Sequence, residues 1–434
     1  MSAHLVLAHG VGQVYEAPLP VWLYATGAAA TVLASFGLRA LVPAEPAARP
    51  LRRLARPAAA RLVGGLLRTA GLAGCALALV AGIAVRSEGF TTATLLLWVG
   101  LIVGTTALSA LLDGAWAAAD PWATLERAYR VESFEARLEP PWWLGAVLLY
   151  LLFWFELVSG VGFKDFWVVV ALIAYSVFAL SLRASFGEEA WRRTDPLSLL
   201  FGFAGRIAPL QLRADGIYLR GPLHGLDREG PMPRSLFAGL FVVLASTTLD
   251  NLRETVGWTA FKHVLGLDAL PVLVVDSVAL AAFAPLFLAP YLASVRLAQR
   301  WVGRRLPFLD LARRFGWSLV PIAVAYVLAH NAPLLLTGLP ALVRALSDPF
   351  ALGWNLLGTG GFALGWVPSP AFVWFFEIAL IVGGHVLGVL SAHRAAVRLA
   401  ASHLHAVRSQ YALTGLMASF TVATLWLLAQ PLVA

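Results

Sequence analysis

Three side chains able to bind a metal or carry a proton lie inside long apolar runs of this sequence, and they share one depth. Asp276 is six residues into the run that opens at Leu270, Glu377 is six residues into the run that opens at Ala371, and His330 is six residues before Leu336, where a third run closes. With the runs taken as membrane-crossing helices of alternating direction, a rise of 1.5 Å per residue puts each group about 9 Å below the same boundary. An ionisable side chain in hydrocarbon costs about 2.5–3.5 kcal/mol, so each needs a partner or a task. Three readings are open. A histidine and two carboxylates from three helices suit a divalent metal ion, such as iron, manganese or zinc, that polarises a substrate or activates water. The same groups suit a proton or ion pathway, and they also suit plain mutual hydrogen bonding between helices. His385 is about 12 Å deeper than Glu377, too far from the layer of His330 for the two histidines to clasp a haem. His393 falls at the opposite end of that run, beside Arg394.

Further candidates sit at the ends of the runs. Ser246-Thr247-Thr248-Leu249-Asp250-Asn251, followed by Arg253 and Glu254, closes another run at the same side. Polar residues are expected where a helix leaves the membrane, so this strip is read as ending the helix in water, with a site lining as the alternative. His4 and His9 precede the first run and read as solvated residues able to lend a ligand; His403 and His405 lie among arginines and read as headgroup contacts. There is no G-x-S-x-G elbow, H-E-x-x-H helix, P-loop or dinucleotide fingerprint, so the common soluble-enzyme chemistries have no foothold.

The elements that must position these residues are membrane helices. Of 434 residues 59% are hydrophobic and 13% charged, too few charges for a soluble domain of this length. Spanning about 30 Å of hydrocarbon takes about 20 helical residues. Windows of that kind lie near Pro20–Leu41, Thr69–Val85, Thr92–Leu112, Trp142–Val158, Phe166–Leu182, Ser235–Leu249, Leu270–Ala293, Phe315–Leu336, Ala371–Ala392 and Tyr411–Pro431, the second, fourth and sixth being short. The lone Cys75 is inside such a run, which leaves neither a disulfide framework nor a cysteine zinc site within this chain. The eight residues before His9 have no basic segment and too short an apolar core for a complete signal peptide, so the first helix directs insertion or the start lies upstream.

Charge orients the helices. Odd-numbered connections are basic: Arg49 to Arg68 in the first, Arg127, Arg130 and Arg137 in the third, Arg183 to Arg234 in the fifth, Arg296 to Arg314 in the seventh, and Arg394, Arg398 and Arg408 in the ninth. Even-numbered ones balance a few cations against acids, as Lys164 against Asp165. The positive-inside bias therefore puts the odd connections in the cytoplasm and both termini outside, in a cytoplasmic (inner) membrane. The net charge of +8 is parcelled among these loops, which points to anionic lipid headgroups on the cytoplasmic side and away from nucleic acid. The fifth connection, 183–234, holds two short alternating stretches, Leu210–Arg213 and Gly216–Arg220, that read as a β-hairpin. Pro121–Arg137 reads as an interfacial helix, and the Gly- and Trp-rich segment 337–370 as an extracytoplasmic loop. The expectation is an all-α polytopic bundle of about ten helices in a single membrane domain, 1–434.

Several clusters resemble a family of bacterial multi-pass membrane proteins commonly labelled fenitrothion hydrolase. They are Ala8-His9-Gly10-Val11-Gly12 with Pro18–Tyr24, Asp215-Gly216 through Gly225-Leu226, Ser246–Asp250, Ala329-His330, Ser347–Phe350 with Gly353–Leu356, and Gly384-His385-Val386 with Ala392–Ala395. The resemblance covers most of the chain. It implies metal-assisted hydrolysis of a phosphotriester and points at His9, Asp250, His330, His385 and His393 rather than at Asp276 or Glu377. The chain departs from the family's pattern at Asn331, where an aromatic is usual, and at Arg394, where an acid is usual. Beside this stand two other function classes, a proton- or ion-coupled transporter and a non-catalytic subunit bound to membrane-protein partners.

Overall fold

A computed structural model describes residues 20–41, 51–129, 139–221, 223–227, 230–363 and 369–430. Among them, nine helices are long and apolar enough to cross a membrane, and the chain is a multi-pass, all-α membrane protein with one small sheet. The elements used below are α1 (Val21–Ala40), β1 (Arg52–Ala55), α2 (Pro57–Val85), α3 (Thr92–Leu111), β2 (Leu112–Asp113), α4 (Pro121–Tyr129), α5 (Leu144–Leu157), α6 (Asp165–Phe186), α7 (Pro196–Ile207), β3 (Leu210–Arg213), β4 (Gly216–Leu219), α8 (Arg234–Arg253), α9 (Val256–Val264), α10 (Val272–Trp301), α11 (Phe308–His330), α12 (Ala332–Ser347), α13 (Pro370–Leu399) and α14 (His403–Leu428). The window at Trp142–Val158 becomes α5, whose 14 residues fall short of a full crossing.

Two compact units divide the chain where the sequence reads as a single domain. One takes Leu51–Arg220 and Asn331–Val373; the other takes Gly221–His330 and Trp374–Ala434 together with α1. In the first unit the hairpin β3–β4 forms as expected, and it recruits β1 antiparallel to β4 and β2 parallel to β3, giving the order β1-β4-β3-β2. Residues 96–104 of α3 are π-helical, and Val99 and Val103 pack there against Leu334 and Leu342 of α12. That helix occupies the first part of segment 337–370. Pro121–Tyr129 is helical as expected; residues 130–137 of the expected interfacial helix lie outside the described residues.

In the second unit α8 packs on α10 and α11, and α14 packs on α1 and α10. The backbones of α13 and α11 approach closely: a Cβ added at Gly384 would lie 2.7 Å from the carbonyl oxygen of Pro321, and one at Gly388 would lie 2.8 Å from that of Ser318. Ala25 and Ala28 of α1, Ala329 of α11, Ile381 of α13 and Leu425 of α14 form a buried apolar layer.

Candidate functional site

The eighth apolar window does not run through to Leu336. It stops at His330 because Pro333 has no N–H for the Ala329 carbonyl and its ring would collide with it, so Asn331 turns the chain and α12 starts afresh. His330 is thus the last residue of α11 rather than a mid-turn residue, and it meets the last turn of α8. The strip Ser246–Asn251 accordingly does not end that helix in water: Asp250 is 4% exposed, and Ser246, Thr247 and Thr248 return their hydroxyls to carbonyls one turn back in α8.

His330 Nε2 stands 2.6 Å from Asp250 Oδ2, and His330 Nδ1 stands 3.1 Å from Asn251 Oδ1. Hydrogen-bond inventory fixes who donates. Asn251 Nδ2 donates to the Thr247 carbonyl at 3.0 Å, an acceptor only, and reaches the Tyr326 hydroxyl at 3.1 Å; the amide oxygen must therefore face the ring, and Nδ1 must carry a hydrogen. Nε2 faces the Asp250 carboxyl, so the pair shares a hydrogen across the 2.6 Å contact, and the ring is a cation when both its nitrogens are protonated. Arg253 Nε lies 3.4 Å from Asp250 Oδ1, adding a cation to the same carboxylate.

Acids balance these charges. Glu254, just past the end of α8, has its pKa pushed up to about 7, first by burial and then by the charge of Asp250, against the opposing pull of His330 and Arg253. It therefore exchanges its proton near neutral pH. Glu377, 9% exposed, feels the charge of His330 across the helix interface. Asp276 is 7% exposed on α10, and its Oδ1 has no hydrogen-bond partner among the described residues. Equal depth thus brings Glu377 within electrostatic reach of His330, while the direct hydrogen bonds of the ring go to α8.

The remaining candidates separate. His385 is 2% exposed and donates from Nδ1 to the Ile381 carbonyl at 2.8 Å. His393 is near the opposite end of α13, hydrogen-bonded to Gln410. His9 lies outside the described residues. Among the described residues no three His, Cys, Asp or Glu side chains are grouped to hold a metal ion. At His330 both ring nitrogens already face protein groups, the Asp250 carboxyl and the Asn251 amide oxygen. Two participants carried too little sequence signal to be singled out as ring contacts: Asn251, adjacent to Asp250, and Tyr326, one helical turn before His330 and so on its face.

No family model, no curated protein and no solved structure matches the chain.

Proposed function

We propose that this chain is a proton-translocating protein of the cytoplasmic membrane, both termini outside, whose proton-exchange site is the Asp250–His330–Asn251–Glu254 cluster in the outer half of the bilayer. The observation that carries the reading is the buried 2.6 Å contact between His330 and Asp250, with the other ring nitrogen tied to Asn251. Such a pair holds one proton between two groups whose affinities the surrounding charges set, and Glu254 beside it changes protonation near neutral pH. The outward placement rests on the alternation of arginine-rich and arginine-poor connections. The metal-assisted phosphotriester hydrolysis implied by the family resemblance needs bare donor lone pairs, and both nitrogens of His330 already face protein groups.

The test is potential-driven proton uptake into liposomes holding the purified chain and a trapped pH-sensitive dye. Uptake well above that of empty liposomes, lost in H330Q, supports the reading. Uptake no faster than that of empty liposomes refutes it, and a stoichiometric transition metal in elemental analysis would move the assignment to the metal. Reporter fusions after Ala434 and within Arg192–Arg234 should report opposite compartments.

A further inference from the structure

One row of α13, winding about 40° around the helix axis at each four-residue step, carries titratable groups along most of its length. Positions 377, 381, 385, 389 and 393 form a single row of four-residue steps, and all five side chains, Glu377, Ile381, His385, Val389 and His393, are buried. Glutamate and histidines alternate with aliphatic residues. By helical rise, His385 is about 12 Å from each of its titratable neighbours in the row.

The hydrogen bonds of the histidines leave specific atoms open. His385 Nδ1 faces the Ile381 carbonyl, an acceptor only, so Nδ1 carries the hydrogen and Nε2 presents a bare lone pair; that atom is buried and has no partner among the described residues. At the far end Gln410 Nε2 donates to the Ala406 carbonyl at 2.7 Å and meets His393 Nδ1 at 3.2 Å, so this nitrogen accepts and the hydrogen of a neutral ring sits on Nε2. His403 stands edge-on to His393 with ring centroids 6.2 Å apart. Its Nε2 donates to the Ala40 carbonyl at 2.9 Å, and its Nδ1 is buried without a partner among the described residues. Among the described residues, the charged or titratable groups that act on the row are His330 on Glu377, and Arg39 and His403 on His393, with none acting on His385. An unpaired basic nitrogen in such surroundings is costly to retain without a task.

We infer that His385 is a mid-membrane proton station on a path along α13 from Glu377 to His393 and His403, an inference that rests on the proton-translocating reading above. A proton leaves the Glu377 carboxyl, crosses by a transient chain of about three or four waters past Ile381, and binds His385 Nε2, converting imidazole to imidazolium. It departs from the same nitrogen to water on the Val389 side and passes to His403 Nδ1, the open nitrogen beside His393. Only O–H and N–H bonds are exchanged, and His385 returns to its starting tautomer. Ile381, in the buried apolar layer with Ala25, Ala28, Ala329 and Leu425, and the buried Val389 stand between the titratable groups.

The same dye-loaded liposomes test it. H385Q and H403Q should each cut potential-driven uptake at least tenfold while eluting as the wild type does. Wild-type uptake in both variants, with H330Q silent, would overturn the path and leave the outer proton site standing; absent uptake in the wild type would remove both. Should H385Q fail to fold, ¹⁵N-histidine spectra of the unmutated chain decide. A ring with bare Nε2 that gains a proton on acidification supports the station, and four permanently Nε2-protonated rings at His330, His385, His393 and His403 would overturn it.

Discussion

Each unit buries a basic side chain against acidic ones, and the two bases differ in whether they can release a proton. In the first unit Arg183, 1% exposed on α6, meets Asp120 at 3.0 Å and Glu126 at 2.8 Å, while Asp120 also caps α4 through the Ala123 N–H. In the second unit His330 meets Asp250 at 2.6 Å with Glu254 and Glu377 acting on the same charges. A guanidinium does not release its proton at any physiological pH, so the Arg183 cluster can only hold α4 to α6. An imidazole does release it. Similar burial thus surrounds one base that keeps its proton and one able to release it.

The comparison breaks most readily at Arg183. Arg183→Met leaves two carboxylates in a buried site with no cation, and a loss of about 3–5 kcal/mol is expected, seen as a collapse of the thermal midpoint in detergent. Next in size, Gly384→Ala forces a methyl group against the Pro321 carbonyl and should cost about 1–3 kcal/mol by separating α13 from α11. Proton uptake should fall with it, because the row on α13 shifts away from His330.

The pH dependence sharpens the contrast. Glu254 titrates at an ordinary 4.5 in the unfolded chain and at about 7 in the fold, so between those values the folded state holds the extra proton. Its favourable contribution is complete below about 4.5 and is lost as pH rises through about 7. The midpoint of the wild type should therefore decline from pH 5 to 8 relative to that of E254Q, and parallel curves would refute the burial of this carboxyl. The smallest effect is expected at Arg192, whose exposed pair with Glu188 lies one turn away in the same short helix: R192A should change stability by less than about 0.5 kcal/mol.

Much of the architecture is legible in the chain because hydrocarbon dictates it. Runs of apolar residues mark the long helices, and the alternating Leu210–Arg213 and Gly216–Leu219 stretches mark the hairpin. What joins distant segments was not legible: Arg52–Ala55 reads as part of a basic loop, yet it becomes a strand because β4 offers it an open edge. The site was half legible. Depth counting places His330 and Glu377 in one layer, since rise per residue is fixed, but it says nothing of rotation about the helix axis. Rotation is what turns His330 toward Asp250, 80 positions away. The strip at Asp250 was read as water-facing because composition at a helix exit does not distinguish lipid-side ends from ends closed over by a neighbour.

The central claim is that the His330 cluster exchanges protons and the Arg183 cluster does not. Its most direct test compares potential-driven proton uptake by liposomes carrying D250N with uptake by those carrying E126Q, each substitution removing one carboxylate charge from one buried base. D250N is expected to abolish uptake, and E126Q, in which Asp120 still holds Arg183, to retain the wild-type rate. Equal uptake in the two variants would contradict the account.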